Sequence, residues 1–336
     1  MGKSNSGRKS YYRRIRNIAH SHSQRTLGSG KAAFTVSAMG YGCMGLNHNR
    51  SQYPSKEKEI ALVREAVERG VTLFDTAESY GYHVNEKLVG EALEGYTDRV
   101  FVSSKFGHKF VNGVQVKTEE DSTPANIRRV CENSLRNLGV ETLGMFYQHR
   151  IDPNTPIEVV AETCSELIKE GKILHWGMCE VNTDTIRRAH KVCPITAIQS
   201  EYHFMHRTVE ENGVLALCEE LGIGFVPYSP LNRGFLGGMI NEYTQFDTSN
   251  DNRQTLPRFQ PCQLSHRRSV ECFRTDKRNH SGTSGIGLAD EQEAVYRPHS
   301  RNDQTLALGR EPSGYRNHLH AAGNERIGRG GSCYSD

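Results

Sequence analysis

No acidic residue precedes Glu57. The same opening stretch carries Lys3, Arg8, Lys9, Arg13, Arg14, Arg16 and Arg25 and many serines. That composition is shared by organelle transit peptides and by disordered basic extensions, and residues 1–24 fit the second better. The MGKSNS opening also matches a short myristoylation pattern of low specificity. Nine cysteines are present without one C-x-x-C pair. This argues against a zinc ribbon, a redox dithiol or a disulfide framework, and for reduced thiols in the cytoplasm. No apolar run reaches the length needed to cross a bilayer. The formal net charge is only +3, so nothing global points to nucleic acid. Hydrophobic residues make up 36% of the 336, a low share for a compact chain of this size. Part of the sequence therefore does not build core.

What is present is a regular alternation from Val36 onward. Residues 36–45 read as a strand ending in glycines. Residues 55–70 read as an amphipathic helix stopped by Gly70, and 71–77 as a buried strand. Helix then strand follows over 85–96 and 99–105. The helix over 123–139 opens on Thr123 as N-cap with Pro124 in its first turn. Residues 155–171 repeat that start with Thr155 and Pro156. Strands over 143–150, 173–180, 196–202 and 223–231 alternate with helices over 183–192 and 209–222. Seven βα units at near-constant period, with strands apolar throughout, predict a parallel sheet covered by helices. A doubly wound sheet would usually open its first helix with G-x-G-x-x-G, and GYGCMG precedes a loop instead. The fold class predicted is α/β, a (β/α)8 TIM-type barrel with its chemistry at the C-terminal strand ends.

After Pro261 the alternation stops, arginine outnumbers lysine, and apolar residues thin out. Such composition predicts disorder over 262–336. Seven recognisable units leave the eighth strand and final helices missing or replaced, and an unclosed barrel exposes two strand edges.

Four residues near predicted strand ends carry chemistry: Asp75, Tyr80, Lys105 and His149. In order and spacing, FDTAESYG, NEKLVGEAL, SSKFG, YQHRID, EGKILHWGM, AIQSEY and FVPYSPLNRGFL resemble the aldo-keto reductase family over residues 25–261, in its bacterial and fungal YQHRID branch. The resemblance implies an NADP(H)-dependent reduction of an aldehyde or ketone. It makes Tyr80 the general acid, Lys105 the cation that lowers the phenol's pKa, and Asp75 the partner that fixes Lys105. It makes His149 the hydrogen-bond donor to the carbonyl. For the cofactor it implies Gly42, Cys43, Met44 and Asp75 at the first strand ends, and Gln199 with Cys179 and Glu180 at the carboxamide. Tyr228 would stack on the nicotinamide, with Ser229, Leu231, Arg233 and Gly234 at the pyrophosphate. Cys179 stands where the family pattern has Ser or Asn, and a thiol is the weaker donor. The expected partner is a small carbonyl compound, with no metal, no nucleic acid and no membrane. Two other readings stay open: a non-catalytic nucleotide-binding regulator of the same fold, and a non-functional product.

The family's eighth strand, a Pro-Gly-Thr turn and a Glu-Asn-Leu helix start that grip the adenosine 2′-phosphate are not written in the tail. Residues 280–305, back-translated with permitted codons and read one base later, give TPAQVALAWLMNKKPFIVPIPGTTK. Residues 310–313 shift likewise to Glu-Asn-Leu. The sequence therefore predicts a frame slip near Pro261, and with it poor folding and weak NADPH binding.

Overall fold

The computed structural model describes residues 24–49, 53–237, 240, 243–247, 251–256 and 259, and the backbone of 287–290. The basic extension, apart from Gln24, and the tail, apart from 287–290, lie outside the described residues, as does most of the frame-shifted segment.

Eight parallel strands close a barrel. In chain order they are β3 (Met39–Gly42), β4 (Leu73–Asp75), β5 (Phe101–Phe106), β8 (Leu143–Gln148), β9 (Ile173–Cys179), β10 (Ala197–Glu201), β11 (Gly224–Tyr228) and β12 (Gly287–Asp290). The helices between them are α1 (Met44–Asn47), α2 (Lys56–Glu68), α3 (Val84–Ala92), α4 (Pro124–Leu138), α5 (Ile157–Lys169), α6 (Thr183–Val192), α7 (Thr208–Glu211) and α8 (Val214–Leu221). Their apolar residues recur at helical spacing, as in Ile127, Val130, Cys131 and Leu138 of α4 or Val160, Ala161, Cys164 and Leu167 of α5. Each such stripe packs on the outer face of the strands, in one continuous core with Phe74, Val102, Phe146, Trp176 and Ile198.

The eighth position corrects one expectation. β12 comes from the stretch predicted to lack structure, and it pairs with β3 from Gly287↔Met39 to Asp290↔Gly42. It meets β11 at one register pair, Tyr228↔Leu288. Strands β11 and β3 are therefore not left open. The eighth strand is replaced. Strand pairing uses backbone N–H and C=O groups, so a segment without an apolar run can fill the gap.

Two antiparallel hairpins were not anticipated. β1 (Gln24–Leu27) pairs with β2 (Phe34–Ser37), so the strand predicted over 36–45 is two elements. Leu27, Phe34 and Val36 pack with Leu73, Phe101, Leu174 and Val226 as a plug at the N-terminal end of the barrel. Gly224 permits this, since a Cβ there would lie 2.4 Å from Leu27 Cδ2 and 2.8 Å from its Cα. The second hairpin, β6 (His108–Val111) with β7 (Val114–Glu120), extends β5 above the mouth. Asn112 and Gly113 turn it at φ 50° and 79°, as a two-residue hairpin turn with both central residues left-handed requires.

Helix ends follow the sequence in part. Thr123 caps α4 by accepting from Asn126 N at 3.4 Å, with Pro124 at the first position. Thr155 does not repeat the device: its hydroxyl donates to Asp152 Oδ2 at 2.7 Å, and Pro156 is the N-cap of α5. Asp152 also accepts from Ser122 N at 2.9 Å and Asn154 N at 2.9 Å, so this carboxylate organises the turn instead. The helix predicted over 209–222 breaks at Gly213, which takes φ 82°.

Candidate active site

The mouth of the barrel gathers Asp75, Tyr80, Lys105 and His149. Asp75 ends β4, and Tyr80 lies in the turn that follows. Lys105 is the fifth residue of β5 and points inward. His149 follows β8, its backbone N–H donating to Phe106 O at 2.7 Å. Lys105 Nζ bonds Asp75 Oδ2 and donates to Thr76 O at 2.8 Å. The same ammonium lies 3.5 Å from the Tyr80 hydroxyl and 5.1 Å from its ring centroid. The other Asp75 oxygen accepts from Ser103 Oγ at 2.6 Å and Gln199 Nε2 at 3.3 Å. The buried ion pair is thus hydrogen-bonded on both sides, the condition under which such a pair is tolerated.

Burial alone would drive the Lys105 ammonium toward deprotonation, but Asp75 and Tyr80 hold its pKa above the ordinary lysine value. Tyr80 runs against the expectation drawn from the lysine alone. Burial raises the phenol's pKa and outweighs the lowering by Lys105, with Asp75 adding to the rise. Tyr80 is therefore held as a protonated phenol beside a fixed cation. His149 is depressed well below the usual histidine value by burial, then by Lys105, His108 and Arg150, so its imidazole is neutral near pH 7. Ser79 Oγ lies 3.4 Å from His149 Nδ1. A hydroxyl donating there leaves the ring proton on Nε2. A phenol, a neutral N–H donor and a buried ammonium converging on one mouth can polarise a carbonyl and protonate the oxygen that results.

The residues assigned to the cofactor divide. Gln199 and Cys179 adjoin, with Sγ 3.9 Å from Gln199 Oε1, and burial pushes the thiol up to about 12. Glu180 is turned to Glu201 N at 2.8 Å and adopts φ 48°. Tyr228 ends β11 half-buried and hydrogen-bonds Glu180, its pKa raised by burial and then by that carboxylate. Ser229, Asn232, Arg233 and Gly234 all take positive φ, between 52° and 90°. Such left-handed turns aim backbone N–H groups into an anion-binding concavity. Arg233 Nε and Asn232 Oδ1 are buried there with no partner among the described residues. Leu231 lies half-buried in the same loop. At the first strand end, Gly42 and Met44 are half-buried at the mouth. Cys43 is different. Its side chain is fully buried in the outer core with Leu46 and Val63, so only its backbone, whose N–H donates to Asp75 O at 2.8 Å, faces the site.

Sequence reasoning missed Ser103, which the two-residue strand period from Lys105 would have placed on the same face. It also missed His48, stacked on Tyr80 at 5.7 Å and 27°, for which no local signal exists.

Comparison with known proteins gives the family. The sequence profile described as the aldo/keto reductase family matches residues 38–281. The chain belongs to the aldo/keto reductase family. The match starts beyond the plug hairpin and runs past Pro261, later at both ends than the span first read. A Glycine max protein described as probable aldo-keto reductase 1 is 39% identical over 242 residues, which is 72% of this chain and 68% of that protein. Among solved structures, a glycerol dehydrogenase from Gluconobacter oxydans superposes with a TM-score of 0.69 at 26% identity, covering 80% of this chain and 86% of its own. An aldo/keto reductase from Klebsiella pneumoniae in complex with NADP and acetate gives 0.53 at 26% identity, covering 66% and 74%. This aldo/keto reductase is an oxidoreductase, and the chemistry of its family is NAD(P)-dependent oxidoreduction of carbonyl groups. Among the described residues no helix is long and apolar enough to cross a membrane.

Proposed function

We propose that the protein reduces a small aldehyde or ketone to its alcohol with NADPH, Tyr80 acting as the proton donor. The observation that carries this reading is the Tyr80 hydroxyl 3.5 Å from Lys105 Nζ, which is itself bound to Asp75. A bound nicotinamide dinucleotide would supply hydride. The residues at its expected place suit it: orphaned buried polar atoms on Asn232 and Arg233 and a left-handed loop for phosphate, Gln199 and Cys179 for an amide, and the Tyr228 ring for stacking.

In the reduction, the neutral His149 donates its Nε2 proton's hydrogen bond to the carbonyl oxygen and fixes its direction. Tyr80 Oη passes its proton to that oxygen as negative charge builds. The Lys105 ammonium stabilises the phenolate left behind, and Asp75, Ser103 and Gln199 keep the ammonium in place. Reprotonation of Tyr80 from solvent resets the site.

The reading also assigns NADP(H) bound weakly and catalysis impaired, because the segment that would grip the 2′-phosphate is not encoded in this frame. A cytoplasmic location accords with six described thiols, all buried and none joined in a disulfide. The test is NADPH oxidation with a reactive aldehyde, comparing the wild type with Tyr80→Phe. The variant is expected to lose about 10²- to 10⁴-fold in kcat, the range for a lost general acid, while still binding NADPH. Equal rates in the two proteins would refute the assignment.

A further inference from the structure

The second hairpin places a residue against the site that neither the tetrad nor the cofactor loop uses. β5 passes through Gly107, at φ 117°, into β6. Its backbone is tied on both sides there, to His149 N through Phe106 O at 2.7 Å and to Asp121 N through Gly107 O at 2.7 Å. His108, the next residue, pairs in register with Glu120 at the open end of the hairpin. His108 Nδ1 lies 2.8 Å from Glu120 Oε2, an ion pair when the ring is protonated. Its imidazole then rests against His149, with ring centroids 4.7 Å apart and planes inclined by 55°. The hairpin does not need this pair to close, since Asn112–Gly113 makes the turn and Lys109 bridges Glu119 at 2.6 Å.

Among the described residues, the His149 ring has one other side-chain hydrogen-bond contact and one other aromatic neighbour. One long contact from Ser79 Oγ meets its Nδ1, and Tyr80 stands edge-on at 5.9 Å. A ring held on one edge can swing about its χ2 axis, a broad and soft torsion. His108 packs against this ring at a tilt of 55°.

We propose that His108, anchored by Glu120, is a positioning residue that fixes the ring plane of His149, so that Nε2–H faces the carbonyl. The inserted hairpin is thereby part of the catalytic apparatus. This rests on the carbonyl-reduction reading, so the test includes one arm that needs no turnover.

With the full-length chain, His108→Ala and His108→Gln should each lower kcat for a reactive aldehyde by about ten- to a hundredfold, the scale set by a misplaced catalytic group. NADPH affinity should hold. Glu120→Ala, which leaves the His108 ring without its 2.8 Å partner, should lose a comparable factor, and Glu120→Gln, which keeps a hydrogen-bonding group there, should recover most of the rate. In a His149→Ala background, removing His108 should have no further effect, because coupled residues are not additive. Independently of activity, long-range proton–nitrogen spectra of His149 should show one neutral tautomer, protonated on Nε2, in wild type. His108→Ala should give a tautomer mixture. The proposal is overturned if His108→Gln matches wild type, if His108→Ala costs the same with and without His149, or if the His149 spectrum does not change. If the wild type reduces no aldehyde but the spectrum does change, the function fails and the positioning stands. Circular dichroism screens out misfolded variants, and Glu120→Ala serves if His108→Ala unfolds.

Discussion

Replacing Lys105 with methionine separates what the buried cation does for folding from what it does for chemistry. Methionine matches the stem in volume but removes three interactions: the bond to Asp75, the 2.8 Å bond to Thr76 O and the 3.5 Å approach to Tyr80. Among the described residues the Asp75 carboxylate then keeps Ser103 Oγ and Gln199 Nε2 as donors. Removing one partner of a buried pair costs about 3–5 kcal/mol, a large part of a typical margin of about 5–15 kcal/mol. At about 2–4 °C per kcal/mol for a domain of this size, Tm should drop by about 6–20 °C. The double variant Asp75→Asn, Lys105→Met removes both charges and should regain at least half of that loss while staying inactive. The pH behaviour supplies a second check. Losing the ammonium takes away the charge that opposes the rise of the Tyr80 pKa. Alcohol oxidation, which needs the phenolate, should therefore require higher pH in Lys105→Met than in wild type. Thermal unfolding and pH–rate profiles measure both. A single variant with unchanged Tm, or an oxidation profile that moves to lower pH, would refute the reasoning.

Two further predictions concern parts remote from Tyr80. Glu59 of α2 is buried, its Oε1 has no partner among the described residues, and burial lifts its carboxyl from 4.5 to about 7. A raised acid contributes fully below its unfolded value and loses that contribution as pH rises through about 7. Glu59→Gln should match wild type near pH 4 and exceed it near pH 8 by up to roughly 3 kcal/mol, as urea titrations at the two pH values would reveal. Sequencing the coding DNA around the Pro261 codon should reveal a one-base slip. A chain with the frame restored should bind NADPH at least tenfold more tightly, a gain of about 1.4 kcal/mol, and an uninterrupted frame at that codon would sink the idea.

The alternation of strands and helices was legible because both elements advertise burial. The strands are short, largely apolar and buried, as in Leu143–Gln148 and Ile173–Cys179, and α4 and α5 carry stripes at helical spacing. Asp75, Tyr80, Lys105 and His149 were legible because barrel chemistry collects at C-terminal strand ends and their order matched a known pattern. The elements that escaped are short and carry no long apolar run. β6 and β7 are half-exposed and charged, so only the Asn112–Gly113 turn marked them, and that signal was overlooked. β1 and β2 bury Leu27, Phe34 and Val36 against the barrel floor, a tertiary contact that no local period encodes. β12 joins through its backbone, which composition cannot register. The net acidity of Tyr80 was not legible for a related reason: the neighbouring ammonium, which lowers it, is visible in the sequence, and the burial that outweighs it is not. His108 lay beside a motif already in hand, yet its contact with His149 depends on Gly107 turning the chain across the mouth.

The central claim is that hydride and proton reach one carbonyl at this mouth, the proton from Tyr80. Its most direct measurement uses NADPH carrying deuterium at the transferable C4 position, a reactive aldehyde and mass spectrometry of the alcohol. The account predicts one deuterium on the carbinol carbon with wild type and, over the same time, almost no labelled alcohol with Tyr80→Phe. Label appearing in solvent instead of product, or labelled alcohol formed equally fast by both proteins, would contradict it.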